Sequence, residues 1–452
     1  MTQTPIKSFI RSALTIAILS ASALGVGQAR EIASPAGVDS GEPNLHADRE
    51  GRLHLTWCGP GERAGSRSVW LSMLEPSTQV WSPPRAVATS PRLMENWADF
   101  PSLIRATDGT LWVQWYEHLE ESDGAGYSGW FARSVDGGQT WSSPAPLGHE
   151  FVSLAPLSSG RVLAVWLESI RSPRPAGSRR LEGIIPKAGE PTSASMQLKS
   201  RLLAANGSTV REWIVDPDVC TCCQTALISQ PGDEAAVFYR GHTPQEIRDH
   251  CSARLTNGTW AAPQRLHEDG WQIAACPVNG PASDAHEGTV CVAWFTLAQG
   301  QARVQAKLSR DNGATFGAPL PIDLGHPLGR VEVVTLPDHS SVVLWLESKH
   351  GAKATGLYAR RVFANGSLSA AELLADVSSA RTGGFPRAAV CLSGRIVIAW
   401  TEVDNGTPTR TRVRLREWDP RSLPPAAGVL PPATVAAPTK PELCPSTAVK
   451  KV

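Results

Sequence analysis

The chain has 452 residues, is 42% hydrophobic and 19% charged, and carries 43 Lys plus Arg against 42 Asp plus Glu, for a formal net charge of +1. That balance argues against a nucleic-acid binder, which needs a basic surplus to displace counterions from phosphates, and against a self-repelling disordered chain. The length suits one large all-β domain or two to three smaller ones, and 39 Gly with 36 Pro imply many turns and few long helices.

The N-terminus reads as an export signal. Lys7 and Arg11 precede an uncharged run from Ala13 to Gly27, and Gly27-Gln28-Ala29 offers the small residues of a cleavage site. The run is shorter than the roughly 20 apolar residues of a membrane span. Residues 1–29 are therefore expected to be a signal peptide, with a soluble, periplasmic or secreted chain starting near Arg30. The segment from Pro420 to Val452 is rich in Pro and Ala, and 421–452 is expected to be a flexible tail.

Between these ends one phrase recurs: a Gly turn, an apolar strand, then an aromatic. Its copies close on Trp57, Trp115, Trp166, Tyr239, Trp294, Trp345 and Trp400, spaced 58, 51, 73, 55, 51 and 55 residues apart. The one long gap contains an insertion, Ser172 to Ser195, rich in Pro, Gly and Arg. A second phrase follows each first one. It is complete at Ser134-Val135-Asp136-Gly137-Gly138-Gln139-Thr140-Trp141 and at Ser309-Arg310-Asp311-Asn312-Gly313-Ala314-Thr315-Phe316, and shortened at Asn206-Gly207-Ser208, Asn257-Gly258-Thr259 and Asn365-Gly366-Ser367. Gly supplies positive φ and the Ser, Asp and Asn side chains bond turn N–H groups, so these are hairpin turns. Two hairpins per period make a four-stranded antiparallel unit that cannot cover both its faces alone. Stacking in a ring solves this, so the expected fold is an all-β propeller over 30–420, with seven blades by repeat count and six if the terminal copies merge.

Nine cysteines punctuate the chain. Cys291 and Cys391 lie in apolar strands and read as buried thiols. Cys220, Cys222 and Cys223 fall on a loop entering a strand, with Cys276 one blade later as the natural fourth partner. An oxidising compartment favours disulfides among these four, whereas the sulfur density favours a soft metal, Cu(I) or Zn(II). His242, His250 and Met196 are further candidate ligands.

Ser134–Trp141 and Ser309–Phe316 resemble the Asp-boxes of the sialidase (BNR-repeat) superfamily. The phrases Asn96–Pro101, Cys220–Thr225, Glu246–Asp249, Cys276–Pro281 and Gly384–Arg387 are similar to those of bacterial sialidase-family proteins, and the likeness runs from about Asn44 to Asp419. The resemblance implies a propeller and a glycan partner. Sialidase chemistry would need an acid/base Asp, a Tyr activated by Glu as nucleophile, and three Arg holding a substrate carboxylate. On this chain the candidates are Asp99 as acid/base, Tyr239 with Glu246 as the nucleophile pair, and Arg240, Arg248 and Arg387 as the clamp. The superfamily's early Arg-Ile-Pro phrase is replaced by Gly41-Glu42-Pro43-Asn44-Leu45, which leaves the first clamp arginine unassigned. Two functions follow as expectations. One is an exo-glycosidase acting on terminal acidic sugars. The other is a non-catalytic propeller, most simply a monomer, that binds a glycan, a peptide or a soft metal. Neither requires an organic cofactor.

Overall fold

The computed structural model describes residues 29–119, 126–170, 196–349, 354–404, 406 and 409–426. The expected signal peptide up to residue 28, the Ser172–Ser195 insertion and the tail beyond 426 lie outside the described residues. Among the described residues the chain forms seven antiparallel sheets in succession, and its helical segments are three single 3₁₀ turns. The seven-bladed ring expected from the repeat is what forms, and the six-bladed variant is excluded.

The first strand of each blade faces the axis. These strands are Gly41–Ala47, Ser102–Arg105, Glu150–Pro156, Ala226–Gln230, Ala282–His286, Pro327–Thr335 and Arg387–Val390. The recurring apolar phrase supplies the second strand of each blade, as in Val162–Ser169 and Ser341–Ser348. A second strand has sheet neighbours on both sides and another blade over each face, so it is buried along almost its whole length rather than alternately. That is why it is spelled Val-Leu-Ala-Val-Trp. Trp115, Trp166, Trp294 and Trp345 are fully buried between blades. Blade 4 differs at its rim, where Thr259–Trp260 and Gln264–Arg265 both pair with His250–Thr256.

The ring closes by strand exchange between the chain ends. Blade 7 takes its outer strand from Arg30–Ile32, which pairs with Arg410–Trp418 in the register Arg30↔Glu417 to Ile32↔Leu415. At the other end Ala426 N donates to Leu368 O, so the start of the Pro/Ala-rich segment is tied to blade 6. The two complete Asp-box turns have the same geometry. Ser134 Oγ accepts from Gly138 N at 2.8 Å and Asp136 Oδ1 from Thr140 N at 2.9 Å, and Ser309 and Asp311 repeat both bonds to Gly313 and Thr315 at the same distances. Asn206 and Asn365 close their shortened turns by accepting from Ser208 and Ser367.

Adjacent blades are joined around the axis by side chains that satisfy the next blade's backbone. Arg105 N donates to His46, Phe151 N to Asp99, Gly280 N to Gln224, Thr335 N to Asp284 and Ala388 N to Glu332. Ser153 bonds Thr225 between blades 3 and 4, and Glu42 N donates to Thr401 across the closing junction. All seven junctions carry such a bond. Bonds of this kind, half of them to ionisable groups, are each worth about 0.5–3 kcal/mol.

Substituting Trp166→Ala should lower stability by about 3–5 kcal/mol through the inter-blade cavity it opens. Denaturant unfolding followed by fluorescence measures the loss; a change below about 1 kcal/mol would mean that the blades do not depend on this packing.

Candidate functional site

The inner strands enclose an axial cavity of about 400 Å³. Its wall mixes polar and apolar side chains. Asp99, Asp284, Glu332 and Arg387 line it together with Asn44, His46, Gln224 and Thr225. At one side an aromatic shelf forms. Trp97 stacks on Phe385 with ring centres 5.8 Å apart, and Phe100 tilts against Phe385 at 6.3 Å. Arg387 lies over the Phe100 ring at 4.9 Å and Arg330 over Trp97 at 4.9 Å. The short turn Gly384-Phe385-Pro386 therefore delivers an aromatic face and a guanidinium to the same rim.

The carboxyl groups of the cavity all resist ionisation, chiefly because burial withholds water from the charge. Asp99 is pushed up to about 7 against the opposing effect of bonds from Phe151 N–H and the Tyr127 hydroxyl. Glu332 is pushed up to about 7, although its pairing with Arg387 at 3.0 Å pulls the other way. Asp284 is raised to about 6. Burial, helped by the neighbouring His54, drives His46 down to about 3, so it is a neutral acceptor for Arg105 N–H.

The structure divides the six sequence-derived catalytic and clamp candidates into two places. Asp99 and Arg387 line the axial cavity; Tyr239, Arg240, Glu246 and Arg248 do not. Tyr239 ends the second strand of blade 4, where the other blades place their aromatic. It packs among Val165, Leu167, Val219 and Cys251, and its hydroxyl donates to Asp216 at 2.6 Å. Burial and the Asp216 charge hold its phenol well above the usual range, the opposite of an activated nucleophile. Glu246 pairs not with Tyr239 but with Arg248 at 2.7 Å. Arg240 is buried and donates to the carbonyls of Arg248, Asn279 and Phe295. The expected three-arginine clamp is thus not assembled, and Arg387 alone among the three reaches the cavity. In the phrase replacing Arg-Ile-Pro, Glu42 contributes an acid raised by burial to about 8, with Glu95 nearby.

Arg240 and Arg248 belong instead to the thiols. The sulfurs of Cys220, Cys222 and Cys223 lie within 4.8 Å of one another, with Cys220 and Cys223 3.9 Å apart. None of the expected disulfides among the four joins them: Cys220, Cys222, Cys223 and Cys276 are all free thiols. Arg248 Nη1 sits 3.3 Å from Cys220 Sγ. Thiol donors from Cys222 and Cys223, with Arg248 beside them, hold Cys220 well below the ordinary thiol range. Cys276 is lowered to about 6, first by its bond from Cys222. The other candidate ligands are engaged elsewhere. His242 bonds Asp218 at 2.8 Å, His250 packs on Trp294, and Met196 lies in the core between blades 3 and 4.

No family model matches the chain, and no curated protein sequence does. Solved structures that resemble it include a protein of unknown function from Dyadobacter fermentans, 14% identical, covering 86% of this chain and 98% of that one with a TM-score of 0.48. An α-L-arabinofuranosidase of Fusarium graminearum is 12% identical over 85% of this chain and 94% of its own, with a TM-score of 0.45. A sialidase from Streptococcus pneumoniae is 10% identical over 88% and 93%, with a TM-score of 0.43. The strand pairing establishes the propeller independently of these likenesses.

Asp99, Glu332 and Asp284 are legible to different degrees in the sequence. Asp99 stands in a turn-like phrase. Glu332 is a lone carboxylate in the apolar run Val331-Glu332-Val333-Val334, a pattern that marks a buried acid, and it went unread. Asp284, in Ala-Ser-Asp-Ala-His, carries no such signal.

Because Asp99 titrates near 7 when folded and near 3.8 otherwise, the folded state holds its proton more tightly. Its contribution to stability is fully present below about pH 4 and is lost as pH rises through about 7, at up to about 1.4 kcal/mol per pH unit. Asp99→Asn should remove that share of the decline while keeping an acceptor for Phe151 N–H. Unfolding at pH 4, 5.5, 7 and 8 tests this, and parallel curves for the two proteins would refute it.

Proposed function

We propose that this protein binds a neutral, polyhydroxylated sugar unit in its axial cavity. The observation that carries the reading is the convergence, in a cavity of about 400 Å³, of the Phe100 and Phe385 rings with three carboxyl groups and one guanidinium. A flat aromatic face suits the C–H face of a sugar ring, and fixed acceptors and donors suit its hydroxyls. The cavity's one guanidinium is already paired with Glu332 at 3.0 Å, which disfavours the anionic sugar that the sequence resemblance alone would suggest. We further propose export through residues 1–29.

Hydrolysis of a glycosidic bond is a second reading, favoured by Asp99. A carboxylic acid titrating near 7 is matched to proton donation at neutral pH. In this reading Asp99 donates to the leaving oxygen, and Tyr239 with Glu246 takes no part. Separately, the thiol cluster supports a reading in which Cys220, Cys222, Cys223 and Cys276 hold a soft metal ion, Cu(I) or Zn(II), since thiolates select such ions.

Calorimetric titration with neutral mono- and disaccharides, and with sialic acid, tests the binding reading. Arg387→Ala should weaken sugar binding at least tenfold, and Tyr239→Phe should leave it unchanged. Tighter binding of sialic acid than of every neutral sugar, or loss of binding in Tyr239→Phe, would overturn it. Release of fluorophore from neutral aryl glycosides, abolished in Asp99→Asn, would carry the hydrolytic reading; no release would remove it for those substrates.

A further inference from the structure

The thiol cluster has three features that bear on what kind of metal site it is. The first is spacing. Metal–thiolate bonds of about 2.3 Å place sulfurs about 3.8–4.0 Å apart around a shared ion. Cys220 and Cys223 stand 3.9 Å apart, and Cys222 completes a triad within 4.8 Å. The second is charge. Three thiolates around Cu(I), or four around Zn(II), carry a net charge of −2. One buried guanidinium touches the cluster, that of Arg248, whose side chain is 2% exposed and whose Nη1 is 3.3 Å from Cys220 Sγ; the buried guanidinium of Arg240, on the residue whose carbonyl accepts from Cys220 N, adds positive charge to the same region. Burying an anionic cluster without such partners would be costly.

The third is that the cluster is already held in place by bonds that need no ion. Cys220 N bonds Arg240 O, Gln224 Nε2 bonds Ala98 O at 3.0 Å, and Gly280 N bonds Gln224 Oε1 at 3.0 Å. These bonds tie the two cysteine-bearing loops together, and Gly280 packs so closely on Gln224 that a Cβ there would stand 2.2 Å from the Gln224 carbonyl. A site whose ion is needed for folding does not come with its loops already pinned. The thiols are also graded in exposure. Cys220 is 1% exposed, Cys223 2% and Cys222 9%, while Cys276 is at the surface with its sulfur 3.6 Å from the hydroxyl of Thr221, the residue between Cys220 and Cys222.

Building on the soft-metal reading, we infer that this is an exchange site, loaded by a thiol-bearing metal donor through Cys276. The ion is handed inward by ligand substitution. A bond from the ion to Cys276 Sγ forms as its bond to the donor sulfur breaks. Bonds to Cys222, Cys220 and Cys223 then replace the remaining donor bonds and, last, the bond to Cys276, whose thiolate takes a proton back from solvent; the protons of the three inner thiols pass to solvent. The ion keeps its oxidation state throughout, and the buried arginines offset the charge of the final three-sulfur complex.

The test uses reduced full-length protein under anaerobic conditions, with Cu(I)–glutathione in one arm and Zn(II)–glutathione in the other. One ion per chain and a three-sulfur shell by X-ray absorption are expected from the favoured metal. Alkylation and peptide mapping of the loaded wild-type protein should find Cys220, Cys222 and Cys223 protected and Cys276 reactive. Cys276→Ser should still bind one ion but acquire it at least tenfold more slowly, and the chelated wild type should have a lower unfolding midpoint yet still unfold cooperatively from a folded state. If neither ion binds, the metal reading itself falls. If an ion binds but Cys276 is protected like the other three, or Cys276→Ser loads at the wild-type rate, the metal reading stands and the exchange role is overturned. The alkylation map requires no variant to fold, so it decides even if Cys276→Ser misfolds.

Discussion

An antiparallel sheet with two greasy faces has to be covered on both, and in this chain every sheet is covered by the next. That single requirement organises the molecule. Each blade's second strand is apolar along its length because it is sandwiched, and each strand-closing aromatic is wedged against a neighbouring blade. The ring must close on itself, and the pairing of Arg30–Ile32 with Arg410–Trp418 does so with backbone bonds between the two ends of the propeller. Around the axis the blades splay and expose backbone N–H groups that no strand pairs. His46, Asp99, Gln224, Asp284 and Glu332 reach across to accept them. An unmet buried donor costs more than a typical hydrogen bond gains, which explains a continuous circle of acceptors there.

The circle has a chemical consequence. Acceptors recruited to hold blades together are also the lining of the cavity, and burial suppresses their ionisation. Asp99 and Glu332 both titrate near neutrality, where an acid can give a proton or take one. The same side chains that stabilise the ring thus line the cavity, with Phe100 and Phe385 supplying an apolar part of its wall. Function of this kind resides in the loops and inner strands of the ring, not in the propeller as such.

The stretch from Tyr239 to Asp249 shows how proximity in sequence misleads. Tyr239, Arg240, Glu246 and Arg248 fall within ten residues, but the strand Glu234–Arg240 and the loop after it lie one layer out from the axis. Tyr239 is therefore a packing residue bonded to Asp216, Arg240 bonds backbone carbonyls, and Arg248 meets a thiol of the neighbouring loop. The arginines' positive charge makes a place for thiolate in an interior that would otherwise reject it.

Much of the architecture was readable from local chemistry alone. The period of the aromatic-ended phrase, the Gly turns and the Asp-boxes specify hairpins and hairpins specify blades, seven by the copies of the phrase or six if the terminal copies merge, and the seven separate sheets decide between them. The resemblance also put Asp99 and Arg387 among the candidates, and both line the axial cavity. What the chain alone left open was which side chains meet. The pairing of Glu332 with Arg387, the stacking of Trp97 on Phe385, and the meeting of Cys220 with Arg248 join residues 28 to 288 positions apart. Such contacts depend on the angle between blades and the depth of each loop. These are properties of the closed ring, and no local pattern encodes them.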